Sequence, residues 1–319
     1  MVSERTWLDD RSARSVRHAL DRCAPELCGG SITLQPWIET GDPQWSVGTA
    51  VVEGGFVAKF AWSEPAATRL WHEALVLRAL GAHASHLRVP EVVVASDDPV
   101  FLVTRRVDGD PLTYELVSAA EGSEVEEIGA ELASFLSHLH DPAVLDHVVD
   151  AVGPLDVPHP QATTEALRGR LAPWVRPDQL GMVQRWCDWA DDALAPRAGA
   201  VFVHGDLHGH NQVWDRDRRR LRVVVDFESC GAAEAEYDFR YLPAQGDGVR
   251  LLLATMAHYR DRTQRPLRID RVMAWHLRTA LGDALWRSEA GVALPDGATP
   301  SMWVDELSQR LDALAVLPH

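Results

Sequence analysis

The chain has 319 residues, 46% of them hydrophobic and 24% charged, with a formal net charge of -16. That length suits two domains or one large one, and the acidic balance argues against a nucleic-acid partner, whose phosphates it would repel. Residues 1–7 hold no apolar signal core and no stretch approaches the roughly 18 apolar residues of a membrane span, so a cytoplasmic protein without a membrane partner is expected.

Residues 5–25 carry Leu8, Val16, Ala19 and Leu20 among arginines and aspartates and predict an amphipathic helix. Strands are expected at 31–38, 46–52 and 56–62, with a turn at 40–45 and a tight Glu53-Gly54-Gly55 turn. Together they predict an antiparallel meander with Lys59 in its third strand. Lys59 is the single lysine among 31 basic residues, and a compact ammonium is not interchangeable with a planar guanidinium. Ser63 as N-cap and Pro65 in the first turn open a helix that stops near Gly81, with Ala67, Leu70, Trp71, Ala74, Leu75, Leu77 and Leu80 on its buried side. Glu73 lies on this helix and faces either solvent or the sheet, where it would pair with Lys59.

Two more strands are expected at 89–95 and 100–104. Residues 105–111 are polar and turn-rich and predict a hinge, dividing the chain into lobes 1–106 and 107–319. Beyond it the pattern turns helical. Val125, Ile128, Leu132, Phe135, Leu136 and Leu139 mark one helix ending near residues 138–142, whereas 141–162, with four prolines, reads as loop. Further helices are expected at 163–172, 178–195, 246–262, 269–290 and 301–315, interrupted at 200–228 by two short strands. Cys23, Cys28, Cys187 and Cys230 form no Cys-x-x-Cys pair and read as reduced thiols, not a zinc set.

The stretch richest in chemistry is Val201-Phe-Val-His204-Gly-Asp206-Leu-His208-Gly-His210-Asn211, followed by Val225-Asp226-Phe-Glu228. It delivers a carboxylate, an amide and a second carboxylate at strand ends, and hard oxygen donors suit Mg²⁺ better than zinc. Phosphoryl transfer needs a cation on the phosphates, oxygen ligands for Mg²⁺ and a carboxylate at the acceptor hydroxyl. Lys59, Asp206, Asn211 and Asp226 are of those types. A competing pattern is Gly205-Asp-Leu-His-Gly209, which looks like the Gly-Asp-x-His-Gly motif of metallophosphatases; the other two strings of that two-metal site are absent.

With Tyr237-Asp238-Phe239 added, these segments resemble the aminoglycoside phosphotransferase family of kinase-like small-molecule kinases. The match is specific in sequence over 201–239; Lys59, Glu73 and residues 102–109 agree in order and spacing. The resemblance implies an α+β, bilobal protein-kinase-like fold, with an antiparallel-sheet N-terminal lobe and a mainly helical C-terminal lobe. ATP (or GTP) would bind at the hinge. Asp206 would be the catalytic aspartate beside the acceptor hydroxyl, and Asn211 and Asp226 would hold Mg²⁺. Lys59 would bind the α- and β-phosphates and pair with Glu73, with Thr104, Arg105 and Val107 at the nucleotide, the last two meeting the adenine edge through backbone groups. His204 and Asp238 would buttress the catalytic loop, and Glu228 would be a second-metal ligand or a structural carboxylate.

Two departures stand out. The loop between the first two strands holds Gly41 and Gly48 without a glycine run, and Ala233-Glu234-Ala235 replaces the Gly-Asp-Pro frequent in the family. The acceptor would be a small molecule with a hydroxyl, cationic if it answers the acidic charge. In helix 269–290, Trp275, Arg278, Gly282, Asp283, Trp286 and Glu289 place aromatic faces beside acidic groups; Asp283, Trp286 and Glu289 are the acceptor candidates. The tryptophans fit a helical core equally well. Three functions stay open: an antibiotic kinase, a metabolic kinase of amino-sugar, choline or homoserine type, and a catalytically idle nucleotide-binding protein.

Overall fold

The computed structural model describes residues 5–37, 41–83, 86–158, 162–195, 199–215, 217 and 219–316. Ile38 and Thr40, expected in a strand end and a turn, and residues 159–161 of the expected loop lie outside the described residues. The first helix, α1 (Ala13–Cys23), starts where the Ser12 hydroxyl accepts from the Ser15 amide and buries Val16, Ala19 and Leu20. It is shorter than expected because the preceding chain is spent on the sheet: the Leu8 amide donates to the Ala61 carbonyl at 2.9 Å.

The N-terminal region is a five-stranded antiparallel sheet of β1 (Ile32–Leu34), β2 (Val47–Val52), β3 (Phe56–Ala61), β4 (Val92–Asp97) and β5 (Val100–Arg105), ordered β1-β2-β3-β5-β4. The period of two divides its faces. Ala58, Phe60, Phe101 and Val103 join α1 in one core. Ala61, Val100 and Leu102 join α2 (Glu64–His83) in the other, which continues into the helical region. Lys59 pairs with Leu102 across the strands and so lies on the face that α2 covers.

Two unexpected elements follow the sheet. β6 (Asp110–Pro111) and α3 (Tyr114–Ala119), capped by Thr113, precede α4 (Gly122–Leu139). α5 (Pro142–Val152) corrects the expected loop at 141–162. Asp141 caps the Ala143 amide, Pro142 takes the first helical position, and Val144 and Val148 are buried. A proline there starts a helix, since that residue needs no N–H partner. α6 (Thr164–Arg170) and α7 (Pro177–Leu194) lead to β7 (Val201–Val203), β8 (Gln212–Asp215), β9 (Arg220–Val224) and β10 (Gly231–Ala233). β7 pairs with β10, and β8 lies between β6 and β9, so more short strands frame this stretch than expected. α8 (Arg250–Thr263), α9 (Ile269–Ala290) and α10 (Pro300–Ala313) complete the mainly helical part. All four cysteines are unpaired thiols, and no helix among the described residues is long and apolar enough to cross a membrane.

Candidate active site

The site starts from a strand and a helix. Lys59 reaches from β3 and its Nζ lies 2.6 Å from Glu73 Oε2 and 2.8 Å from Asp226 Oδ1. Glu73 shares the α2 stripe of Leu70, Ala74 and Leu77, is 1% exposed, and accepts the Phe227 amide through its other oxygen at 3.0 Å. Between the two orientations open to it, Glu73 therefore takes the one facing the sheet. Burial disfavours the Lys59 ammonium, but the charges of Asp226, Glu73 and Glu228 outweigh it and hold its pKa well above the usual lysine range.

The second component is the loop after β7. Gly205 has φ +82, and a Cβ there would overlap the Ser229 carbonyl, so only glycine fits. Asp238 is fully buried and accepts the amides of His204 and Gly205 at 2.8 and 2.9 Å. It also meets His140 Nε2 at 3.1 Å, whose Nδ1 meets the Tyr259 hydroxyl at 3.1 Å. A carboxylate thus satisfies loop amides that no strand partner reaches. His204 spans the site: its Nδ1 accepts the Asp206 amide at 3.1 Å and its Nε2 meets the Val225 carbonyl at 2.9 Å. The carbonyl can only accept, so Nε2 carries the proton, and burial keeps the ring neutral by lowering its pKa.

Asn211 Nδ2 donates to the Asp206 carbonyl at 2.8 Å and to its Oδ2 at 3.3 Å, and the Asn211 carbonyl accepts the Val225 amide at 2.9 Å. The end of β9 is thereby tied to the loop, and Asp226 follows in the left-handed region at φ 70, which aspartate tolerates. Asp206 Oδ1 accepts the Tyr241 hydroxyl at 2.6 Å, with Arg240 Nη2 at 4.0 Å, while Oδ2 lies 3.5 Å from His208 Nε2. Burial would raise the Asp206 pKa, but His208, Arg240 and Tyr241 prevail and hold it well below the usual carboxylate range.

Glu73, Asp226 and Glu228 bring carboxylate oxygens within 4.8 Å of one another, the one such grouping among the described residues, and no histidine joins it. Burial lifts the Glu228 pKa to about 7 against the pull of Lys59. Its buried Oε2 has no hydrogen bond, with Arg69 Nη2 3.4 Å away. Anionic oxygens, one of them buried without a hydrogen bond, fit a hard divalent cation such as Mg²⁺, whereas no histidine nitrogen joins the group as a metallophosphatase site would need.

At the end of β5, Thr104 pairs with Val57 of β3 and Val92 of β4, and the Arg105 amide donates to the Glu91 carbonyl at 2.9 Å. The segment that leaves the sheet is therefore 106–109, with Val107 in it, since Asp110 and Pro111 already pair in β6. The acceptor candidates divide. Asp283 is pushed up in pKa by burial, pairs with Arg287 at 2.9 Å and feels the charges of Asp206 and His208. Trp286 packs 6.4 Å from Trp45 of the β1–β2 connection, and Arg69 stacks over Trp45 at 4.8 Å. Glu289 instead pairs with Arg170 at the end of α6. Arg240, Tyr241 and His140 were not singled out by the sequence; the Asp238-Phe-Arg-Tyr241 string was the available signal.

Residues 40–292 match the model of the phosphotransferase enzyme family. Viomycin phosphotransferase of Streptomyces vinaceus is 29% identical over 213 residues, which are 62% of this chain and 73% of that protein. The fold is similar to that of wild-type aminoglycoside 2'-phosphotransferase-IIIa in its GDP complex, with TM-score 0.69, 17% identity and coverage of 94% of this chain and 96% of that one. It is also similar to macrolide 2'-phosphotransferase type I, with TM-score 0.63, 16% identity and coverage of 94% and 98%.

Proposed function

The chain belongs to the phosphotransferase enzyme family, and from that premise we propose that it transfers the γ-phosphoryl group of ATP or GTP to a hydroxyl of a cationic antibiotic. One observation carries this: Lys59, Glu73 and Asp226 form a single bonded cluster, and hydrogen bonds of the His204 ring, the Asn211 amide group and the Val225 backbone tie it to Asp206. Residues 1–106 form the nucleotide lobe in this proposal and 107–319 the acceptor lobe. Lys59 binds the α- and β-phosphates, and Thr104, Arg105 and Val107 border the base. Asn211 and Asp226 would hold Mg²⁺, which would neutralise charge on the phosphates.

Asp206 orients the acceptor hydroxyl. The hydroxyl oxygen bonds to the γ-phosphorus as the bridging P–O bond breaks, the nucleoside diphosphate leaves with the electron pair, and the hydroxyl proton passes to Asp206. So weak a base as Asp206 acts first by orientation, and takes the proton as the oxygen becomes acidic. An antibiotic acceptor is supported by the viomycin, aminoglycoside and macrolide phosphotransferases to which the chain is similar. A cationic one is supported by the net charge of -16 and by Asp283 and Trp286 near Asp206 and Trp45.

A coupled assay of ADP or GDP release, with viomycin, aminoglycosides, macrolides, amino sugars and choline-like alcohols as acceptors, tests the proposal. Turnover with an antibiotic, abolished by EDTA and restored by Mg²⁺, is expected. Turnover with a choline-like alcohol or amino sugar alone would make it a metabolic kinase. Nucleotide binding without turnover on any acceptor would make it an idle binding protein.

A further inference from the structure

Tyr241 sits three residues after Asp238, just past the short turn that supports the catalytic loop. Its hydroxyl is 2.6 Å from Asp206 Oδ1. The direction of that bond is forced. Arg240 Nη2 donates to the Tyr241 oxygen at 3.3 Å, and a guanidinium has no acceptor, so the phenolic proton is left for Asp206. Burial, helped by the Asp206 charge, pushes the Tyr241 pKa up, which keeps that proton in place across neutral pH.

The ring is held as firmly as its hydroxyl. The Arg240 guanidinium lies 4.4 Å from the Tyr241 ring centroid and 3.9 Å from that of Tyr237, and the His208 ring meets Tyr241 edge-on at 5.6 Å. Arg240 is 4% exposed and donates to the carbonyls of Gly205 and Tyr237 at 2.6 and 3.0 Å and to Thr279 Oγ1 at 3.1 Å. One guanidinium therefore registers Tyr241 against the backbone of Gly205, the residue before Asp206.

A carboxylate rotates about a soft, two-fold torsion unless its oxygens are bonded. Here Oδ2 has the 3.3 Å contact from Asn211 and the 3.5 Å approach of His208, while Oδ1 has the short bond from Tyr241. We propose that Tyr241 is a positioning residue for phosphoryl transfer: its hydroxyl fixes the rotation of the Asp206 carboxylate so that Oδ2 meets the acceptor hydroxyl. This rests on the transfer reaction proposed above.

Tyr241→Phe removes one oxygen and keeps the ring on Arg240. ADP release from Mg·ATP is measured with viomycin, kanamycin or water as acceptor, alongside the melting temperature. A kcat lower by about ten- to a hundredfold, with KM for nucleotide and acceptor unchanged and a lowered melting temperature that still leaves the variant folded at the assay temperature, is expected from the loss of one charge-assisted hydrogen bond. Wild-type kcat in the variant overturns the proposal, and so does a loss of kcat that merely follows a loss of folded protein. A crystal structure of the variant gives a readout independent of turnover. The Asp206 carboxylate should take more than one orientation; a single orientation identical to the wild type overturns the proposal. If the wild type turns over nothing, the transfer reaction fails by itself, and the carboxylate orientation still decides the role of Tyr241.

Discussion

Replacing Lys59 with arginine keeps the charge and changes only its shape. Nζ lies 2.6 Å from Glu73 Oε2 and 2.8 Å from Asp226 Oδ1, on a side chain 15% exposed. Glu73 cannot retreat, because its other oxygen is bonded to the Phe227 amide and the residue is buried in α2. A guanidinium forced into this gap overpacks it, at about 1–3 kcal/mol. A guanidinium that turns away leaves Glu73 a buried carboxylate without its cation, at about 3–5 kcal/mol. Either way the charge misses the position that phosphate oxygens would take, and a misplacement worth about 2.7 kcal/mol lowers kcat/KM about a hundredfold. Urea unfolding and kcat/KM for ATP measure the two effects separately. Lys59→Arg with wild-type stability and wild-type kcat/KM would refute the reasoning and make the lone lysine an accident of composition.

Two further predictions concern the frame of the site. Gly205→Ala places a Cβ on the Ser229 carbonyl at a positive φ, so the catalytic loop must shift; turnover should be lost even where circular dichroism shows a folded chain, and an active variant would mean that the loop relaxes freely. His276 on α9 is 3% exposed, donates through Nδ1 to the Arg240 carbonyl at 2.8 Å, and is held at a pKa of about 3 by burial and then by the charge of Arg310. The unfolded chain takes up a proton below about pH 6.5 that the folded protein refuses, so stability complete above that pH is lost as the pH falls toward the folded value. His276 should account for about 2 kcal/mol of the stability lost between pH 6.5 and 5. Chemical unfolding of His276→Gln should show a shallower pH slope by that amount; equal slopes in variant and wild type would be the contrary result.

What was legible in the sequence follows from how local each signal is. Strand and helix periods placed Lys59 on a strand and Glu73 on the next helix, because alternation and the 3.6-residue repeat are carried by neighbouring residues. The choice between sheet and solvent for Glu73 was not legible, since it depends on how α2 docks. Residues 141–162 carry two opposed local signals: four prolines read as loop, but Asp141 caps the helix that Pro142 opens. Helix 269–290 supplied three acceptor candidates at helical spacing, yet Glu289 is drawn to Arg170 on a distant helix. Arg240 and Tyr241 escaped for the same reason. Nothing in their own segment shows that they fold back onto Asp206, a contact across 35 residues of chain.

The central claim is that Asp206 faces the hydroxyl that receives the phosphoryl group. Its most direct test is Asp206→Ala in the Mg²⁺-dependent ADP-release assay, with nucleotide affinity measured by calorimetry on the same protein. The account predicts a fall in kcat of at least about a hundredfold with nucleotide affinity retained, as orientation and proton acceptance are lost together. Near-normal turnover in Asp206→Ala would contradict it.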